Sequence, residues 1–266
     1  MPGSSRALRL LAHGILWAFS LAFLLPLLWT LRSALLPEGL AYALPPAWGP
    51  WTLENFQQVL SGPFGKAFQN SLQVASLVVL LGLPLAAGLG YAMARYRLGG
   101  HGLRFAVLAV QMIPPIVLAL PLFALMRLLG LSGSLASLVL AYLAFALPFM
   151  AWLLLGFFQG LPRELEEAAY VDGATPLQAF LRVTLPLLRP VVAVLLILQT
   201  LTEIRTYDLV YVLTRGGPGT ATDLVSYYIY RKAFLGLDLS GAAAMSYILL
   251  LTLALVGAYY RVLTRS

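Results

Sequence analysis

The sequence predicts an all-α membrane protein with six transmembrane helices. Hydrophobic residues make up 61% of the 266 positions and charged residues only 10%. Soluble domains are typically about half apolar and about a quarter charged. Apolar runs long enough to cross about 30 Å of hydrocarbon recur along the chain. The lack of cysteine excludes a disulfide framework, a thiolate metal site and a cysteine nucleophile.

The first apolar run follows a short basic segment at residues 1–9. No small-residue cleavage site precedes it, so we expect it to stay as a membrane anchor. The third run contains Pro114, Pro115 and Pro121, which remove backbone donors and predict a kink. Residues 10–266 are predicted to form a single transmembrane domain, with spans at about 10–31, 67–94, 105–126, 135–158, 190–213 and 241–260.

The charge distribution predicts the orientation of these spans. The net charge of +7 is scattered between the apolar runs and does not form the basic stripe that nucleic-acid binding needs. An even number of spans places both termini on one side, and cytoplasmic loops carry the excess of arginine. Ten arginines lie on the side of the termini and the 160–190 segment, so we expect that side to be cytoplasmic. They are Arg6, Arg9, Arg95, Arg97, Arg104, Arg163, Arg182, Arg189, Arg261 and Arg265.

The 160–190 segment, between the fourth and fifth runs, carries signals for two short helices outside the lipid. Pro162 followed by three glutamates suits the start of a helix, since the helix dipole favours negative charge there. Gly173 is placed to end that helix. Thr175-Pro176-Leu177-Gln178 has the form of a capping box that begins a second helix at once.

The second of these helices is predicted to be amphipathic. Leu177, Phe180, Leu181 and Thr184 recur at three- and four-residue spacing and should form one stripe, and Pro186 should stop the helix. A capped helix pair with an apolar face fits a groove on a soluble partner. The alternative is an amphipathic connector that lies on the membrane surface.

The pattern Glu167-Ala168-Ala169, Gly173 and Val183-Thr184-Leu185-Pro186 resembles the EAA loop of permease subunits of bacterial ABC importers. The resemblance implies the type I ABC importer permease fold in a bacterial inner membrane, with a coupling helix that seats in a cytoplasmic ATPase dimer. ATP and Mg²⁺ would bind to that partner, leaving no cofactor, metal or catalytic residue on this chain. The residues that it assigns to ATPase coupling are Glu167, Ala168, Ala169, Asp172, Gly173, Leu177, Phe180, Leu185 and Pro186.

The fifth run contains polar residues at a depth where each ionised group costs roughly 2.5–3.5 kcal/mol, so they should face a wet cavity or a partner. Helical spacing places four of them on one face. This stripe suits a neutral, hydroxyl-rich ligand. The alternative is a polar contact between helices or with a second permease. The candidate substrate-pathway residues are Gln199, Thr202, Glu203, Arg205, Thr206, Tyr207 and Asp208.

The glycine-rich loop, residues 213–222, resembles the external loop of permeases in maltose, glycerol-phosphate and oligosaccharide importers. The resemblance implies a sugar-like substrate, an extracytoplasmic solute-binding protein and a second permease subunit, with a heterodimer as the expected pair. The middle of the chain resembles one member of such a pair and the glycine-rich loop resembles the other. The residues assigned to binding-protein contact are Arg215, Gly216, Gly217, Pro218 and Thr220.

Other functions have weaker support in the sequence. Gly65-Lys66-Ala67 lacks the glycine spacing and the Ser/Thr of a nucleotide-binding P-loop. Gly130-Leu131-Ser132-Gly133 matches the GxSG of intramembrane serine proteases, but His13 and His101 are predicted at other depths. The main alternative is an ion-coupled secondary transporter whose coupling residues would be Glu203, Arg205 and Asp208.

Overall fold

The computed structural model describes the backbone of residues 4–263 and the side chains of residues 8–258. Every regular element in that part of the chain is a helix, which confirms the predicted fold class. The side chains of Arg6, Arg261 and Arg265 lie outside the described residues. The α-helices are α1 Ser4–Ala34, α2 Glu54–Ser61, α3 Phe64–Arg95, α4 Gly100–Gln111, α5 Pro115–Leu128, α6 Leu135–Gly160, α7 Glu164–Val171, α8 Pro176–Ala179, α9 Leu185–Leu187, α10 Arg189–Arg205, α11 Asp208–Leu213, α12 Val225–Tyr230 and α13 Leu239–Leu263. A 3₁₀ turn covers Glu38–Leu40, and π-helices cover Phe180–Thr184 and Arg231–Leu235.

Four of these helices are long and apolar enough to cross a membrane unbroken, namely α1, α3, α6 and α13. Two further stretches are long and apolar enough only if a bent pair of helices is counted as one span. One is α4 with α5, and the other is Pro176–Leu187 with α10. The described chain therefore contains between four and six candidate spans, and the upper number is the one that the sequence predicts.

The third predicted span is broken into two helices. The directions of α4 and α5 differ by 99°. Pro114 is extended, with ψ of 133°, and Pro115 takes the first helical position of α5. Because a proline has no N–H to donate and displaces the preceding residue from the α region, the Pro-Pro pair accounts for the break.

The fifth predicted span, 190–213, also differs from the structure. α10 ends at Arg205, Thr206 is extended with ψ of 125°, and α11 begins at Asp208. No proline or glycine lies at this break. At the other end, Pro186 does not stop the preceding helix as expected. It lies inside α9, and the chain bends by 70° between α9 and α10.

The chain divides into two compact units. Within the described residues, the terminal unit contains residues 4–65 and 229–252, and the central unit contains residues 66–228 and 253–263. In the terminal unit, Asn55 Nδ2 donates to the carbonyls of Ala34 and Leu36, both at 2.8 Å, and so fastens α2 to the end of α1. Tyr247 Oη donates to the carbonyl of Leu27 at 2.6 Å and joins α13 to α1.

In the central unit, α3 and α6 approach closely because α3 has glycine at the contact. A Cβ atom at Gly90 would lie 3.1 Å from the carbonyl oxygen of Ala151 and 3.2 Å from the nitrogen of Leu155. These are backbone atoms, so they cannot give way without moving α6. Small residues at contacts between membrane helices allow this close packing. Gly88, two positions earlier in α3, has nothing within 4 Å.

Gly90→Val should therefore destabilise the chain, and Gly88→Val should not do so to the same degree. Both changes replace a helical glycine by the same β-branched residue, so the difference isolates the clash with α6. Overpacking typically costs about 1–3 kcal/mol. The measurement is the temperature at which half of the detergent-solubilised protein leaves the monodisperse peak in size-exclusion chromatography. Equal melting of the two variants would refute the close contact.

Candidate functional site

A cavity of about 230 Å³ lies in the central unit, at the place where two helices are interrupted. Gln111 and Pro115 line it from the break between α4 and α5. Phe145 and Phe149 line it from α6, and Thr206 lines it from the end of α10. Interrupted helices at membrane depth are tolerated where the freed backbone is buried in protein or lines a cavity. The two helix breaks and the cavity thus belong to one feature.

The polar wall of the cavity comes from the last turns of α10. Gln199 Nε2 donates to Glu203 Oε1, and both side chains are buried. The hydroxyl of Thr202 donates to the carbonyl of Leu198 at 2.8 Å, and that of Thr206 donates to the carbonyl of Thr202 at 2.9 Å. A hydroxyl that donates to its own helix keeps its oxygen available as an acceptor. The wall can therefore accept hydrogen bonds from a hydroxyl-bearing ligand.

The break at the end of α10 is held by side chains from two other elements. The carbonyl of Thr206 accepts from Tyr142 Oη at 3.1 Å and from Ser226 Oγ at 2.9 Å. An unsatisfied carbonyl inside a membrane would cost several kcal/mol. Tyr142 and Ser226 therefore make the interruption possible without a proline.

The structure brings together four of the seven predicted substrate-pathway residues, namely Gln199, Thr202, Glu203 and Thr206. The other three do not line the cavity. Arg205 is exposed, Tyr207 is 44% exposed, and Asp208 accepts from the backbone N–H of Leu209 at the start of α11.

Sequence reasoning missed the part of the cavity wall that α4 and α6 supply. Gln111 is the only polar residue of the third apolar run and stands just before the Pro-Pro pair, which was a usable signal. Its Nε2 donates to the carbonyl of Phe145 at 3.0 Å and ties α4 to α6. Tyr142, Phe145 and Phe149 lie in an uninterrupted apolar helix and carried no such signal.

The turn between α7 and α8 has the predicted local geometry. Gly173 has φ of +85°, which favours glycine, and its N–H bonds to the carbonyl of Tyr170 at 3.0 Å. The N–H of Ala174 bonds to the carbonyl of Ala169 at 2.9 Å, so both bonds of a Schellman motif are present. Thr175 and Gln178 form the capping box. Four hydrogen bonds of backbone donors thus fix this turn.

The predicted ATPase-coupling residues divide by exposure. Glu167, Ala168, Asp172, Gly173 and Leu177 are exposed. Ala169, Phe180, Leu185 and Pro186 are half-buried, and the Phe180 ring lies 4.8 Å from that of Tyr91, centroid to centroid. The first group is available to a partner, whereas Phe180 also packs inside this chain.

The single apolar stripe expected on the second helix does not form. Residues Phe180–Thr184 adopt a π-helix, whose turn is wider than that of an α-helix, so three- and four-residue spacing no longer marks one face. Leu177 and Leu181 are exposed, while Thr184 is 1% exposed and donates to Glu166 Oε1 at 2.9 Å.

The glycine-rich loop is fastened to the start of α3. Asn70 Nδ2 donates to the carbonyls of Ala221 and Asp223, at 3.1 and 3.0 Å, and Ser71 Oγ accepts from the N–H of Val225 at 2.8 Å. Within the loop, the N–H of Thr222 bonds to the carbonyl of Gly216 at 3.0 Å. These hydrogen bonds give the loop a defined conformation.

The predicted binding-protein contacts occupy the outside of this loop, with two exceptions. Arg215, Pro218 and Thr220 are exposed, and the Arg215 guanidinium lies 6.0 Å from the Tyr211 ring centroid. Gly216 is buried and Gly217 is half-buried, so these two shape the loop from inside.

Residues 79–266 match the family described as the binding-protein-dependent transport system inner membrane component. This chain belongs to that family. The match covers well over half of the chain and includes the cavity, the 160–190 segment and the glycine-rich loop. Membership makes the chain a multi-pass inner-membrane permease subunit of a binding-protein-dependent importer and not an enzyme.

Individual proteins similar to this permease support the assignment. The diacetylchitobiose uptake system permease protein NgcG of Streptomyces coelicolor is 34% identical over 204 residues, covering 74% of this chain and 67% of the relative. The trehalose/maltose transport system permease protein MalF of Thermococcus litoralis is 32% identical over 231 residues, covering 77% of each. This chain spans about two thirds of the length of several curated relatives.

The fold of this permease also resembles that of a solved transporter chain. A crystal structure of the bacterial alginate ABC transporter in complex with an alginate pentasaccharide-bound periplasmic protein contains a chain with a TM-score of 0.75. The two chains are 19% identical, and the similarity covers 98% of this chain and 96% of the other. At that identity, the likeness shows the ABC importer permease fold.

In this permease, Gly216→Ala should disorder the glycine-rich loop, whereas Gly219→Ala should not. Both glycines have positive φ, so alanine costs about 1–2 kcal/mol of backbone strain at either position. Only at Gly216 would the new Cβ clash with a carboxylate oxygen of the buried Asp223. The measurement is the rate of trypsin cleavage after Arg215, which should rise for the first variant alone. Equal cleavage rates in the folded variants would contradict this account of the loop.

Proposed function

We propose that this permease forms half of the translocation pathway of an ATP-driven importer for a sugar or sugar-like solute. An extracytoplasmic binding protein delivers the solute, and a cytoplasmic ATPase dimer drives the cycle through the 160–190 segment. The observation that carries this proposal is the exposed helix pair α7–α8, whose connecting turn is fixed by a Schellman motif and a capping box, within the same unit as the cavity. Both termini and this helix pair are cytoplasmic, in agreement with Arg95 at the end of α3, Arg97 in the link that follows and Arg104 in α4.

The ATPase docks on an apolar patch at the tip of the helix pair. Val171, at the end of α7, is 88% exposed, and Leu177 of α8 is 66% exposed. Exposed large apolar side chains that cluster in a segment outside the lipid mark a site of protein contact. Glu167 and Asp172 border the patch and supply charge for orientation. Val171 is the member of this patch that sequence reasoning did not select.

The cavity accepts a neutral, hydroxyl-rich ligand. Its polar lining consists of Gln111, Gln199, Thr202, Glu203 and Thr206, and its remaining surface is largely apolar and aromatic. Hydroxyls hydrogen-bond to amide and hydroxyl groups, and sugar rings pack on aromatic faces. The names of the relatives refer to trehalose, maltose and diacetylchitobiose, which have this chemistry.

A second permease subunit completes the pathway. At about 230 Å³ the cavity falls below the roughly 300–1,000 Å³ that is usual for a small-molecule site. One chain therefore supplies one wall. Relatives named as permeases SmoG and SmoH of the sulfoquinovosyl glycerol transport system come from one organism, and this chain resembles both. A heterodimer of two related permeases is the arrangement that we propose.

The binding protein contacts the exposed face of the glycine-rich loop. Arg215, Pro218 and Thr220 form that face. The hydrogen bonds that Asn70 and Ser71 make with the loop backbone hold this face against the start of α3. A fixed surface binds a partner without the cost of ordering a loop first.

The test of this function is uptake into proteoliposomes that contain the complete complex, with the binding protein, and radiolabelled trehalose, maltose or diacetylchitobiose outside. Uptake should require ATP on the cytoplasmic side and no ion gradient. Thr202→Phe should lower uptake by about tenfold or more, equivalent to about 1.4 kcal/mol, because the ring fills the cavity. Leu198→Phe, one turn earlier on α10 and outside the lining, is the matched control. Uptake driven by an ion gradient without ATP would instead support the secondary transporter with Glu203, Arg205 and Asp208.

The docking patch is tested by co-purification of the ATPase. Val171→Asp should release the ATPase from the complex, since it removes an apolar contact worth about 1.5–3 kcal/mol and places a charge in the interface. Leu98→Asp, at an exposed apolar position between α3 and α4, makes the same kind of change outside the helix pair. Retention of the ATPase by Val171→Asp would refute docking at this patch.

A further inference from the structure

Glu166 is a buried carboxylate in a helix whose other residues are mostly exposed. Its neighbours Glu164 and Glu167 are exposed, but Glu166 is only 6% exposed. A buried carboxylate is unfavourable unless it is paired with a cation and hydrogen-bonded. Resemblance to the EAA loop assigns a role to Glu167 and none to Glu166, so the burial of Glu166 needs a separate explanation.

The carboxylate of Glu166 is satisfied by two elements other than its own helix. From the last turns of α3, Arg95 Nε donates to Oε1 at 3.1 Å and Tyr91 Oη donates to Oε2 at 3.1 Å. From the π-helix, Thr184 Oγ1 donates to Oε1 at 2.9 Å. Arg95 also donates through Nη2 to the carbonyl of Leu161 at 3.2 Å, just before α7. One carboxylate therefore connects α3, α7 and the segment that leads to α10.

The surroundings of this ion pair are largely shielded from water. The side chains of Arg95 and Glu166 are each 8% exposed. The Tyr91 ring packs against Phe158 and Phe180, with centroid separations of 5.4 and 4.8 Å. Ion pairs in such surroundings are screened much less than surface pairs. The pair can thus transmit force between the elements it joins.

We infer that Glu166 and Arg95 form a joint that makes the coupling helix α7 and the end of α3 move as one body. Movement of the docked ATPase then reaches the membrane by two routes. One route is the covalent chain through α8 and α9 into α10, and the other is the ion pair into α3. Glu166 and Arg95 are positioning residues, because the ATPase contacts the exposed patch and not this pair. The inference rests on the proposed function.

Glu166→Gln tests the joint, with Glu164→Gln as the matched control on the same helix. Both variants are prepared in the assembled complex with the ATPase and binding protein. Glutamine keeps the size of the side chain but removes its charge, so the pair with Arg95 is lost. We expect Glu166→Gln to retain the ATPase and to hydrolyse ATP within about twofold of the unmodified complex, while the solute imported per ATP falls about tenfold or more. Glu164→Gln should leave this ratio unchanged.

A double-mutant cycle separates a joint from two independent defects. If Arg95 and Glu166 act through one another, Arg95→Gln should lower the solute-to-ATP ratio by a similar factor, and the double variant should be no worse than either single variant. If the double variant lowers the solute-to-ATP ratio by the product of the two single-variant factors, the joint is overturned. A normal ratio in Glu166→Gln would overturn it as well.

The assembly measurement distinguishes failure of the joint from failure of the proposed function. Loss of the ATPase from Glu166→Gln, with correct assembly of Glu164→Gln, would make Glu166 a docking residue and would overturn the joint alone. Retention of the ATPase by Val171→Asp would instead count against docking at the helix tip. Recovery of monodisperse complex for each variant shows that folding is intact. A defect confined to folding would lower that recovery without changing the ratio, which would also overturn the inference.

Discussion

Backbone hydrogen bonding inside an apolar solvent is the constraint on which this structure depends. A membrane helix can be interrupted only where the protein itself satisfies the freed donors and acceptors. At the end of α10 the carbonyl of Thr206 accepts from Tyr142 and Ser226, which come from two other helices. At the break between α4 and α5, two prolines have no donor to satisfy. The cavity lies between these two interruptions, so the elements that permit the breaks also delimit the site.

Local signals were sufficient to predict the four unbroken candidate spans and the turn between α7 and α8. Length and hydropathy locate α1, α3, α6 and α13, because a span needs only enough consecutive apolar residues. The Schellman motif at Gly173 and the capping box at Thr175 depend on residues within five positions of each other. The hydrogen bonds that stabilise both motifs form within a short stretch of chain, so the sequence alone predicts them.

Features that depend on distant partners could not be predicted in the same way. The break at Thr206 has no proline or glycine and is made possible by Tyr142, 64 positions away in the chain. The stripe expected from Leu177 to Thr184 failed because Thr184 turns toward Glu166 in a π-helix. Likewise, the three glutamates in the first turn of α7 look equivalent in sequence, and only the approach of α3 makes Glu166 different from the other two. Predicting each of these required the tertiary contacts first.

The geometry of α10 explains how one segment can affect both the helix pair and the cavity. α10 contains 17 residues, so it extends about 25 Å from the bend after α9 to the break at Thr206. Its first residue follows the segment that is bound to Glu166 through Thr184, and its last turns carry Gln199, Thr202 and Glu203. A helix of this length is stiff, whereas the bend at one end and the extended Thr206 at the other are places where the chain direction already changes. A small rotation at the bend therefore displaces the polar wall of the cavity by an amount that grows with the length of the helix. Because Arg95 holds α3 to the same carboxylate, α3 and α10 receive that rotation together.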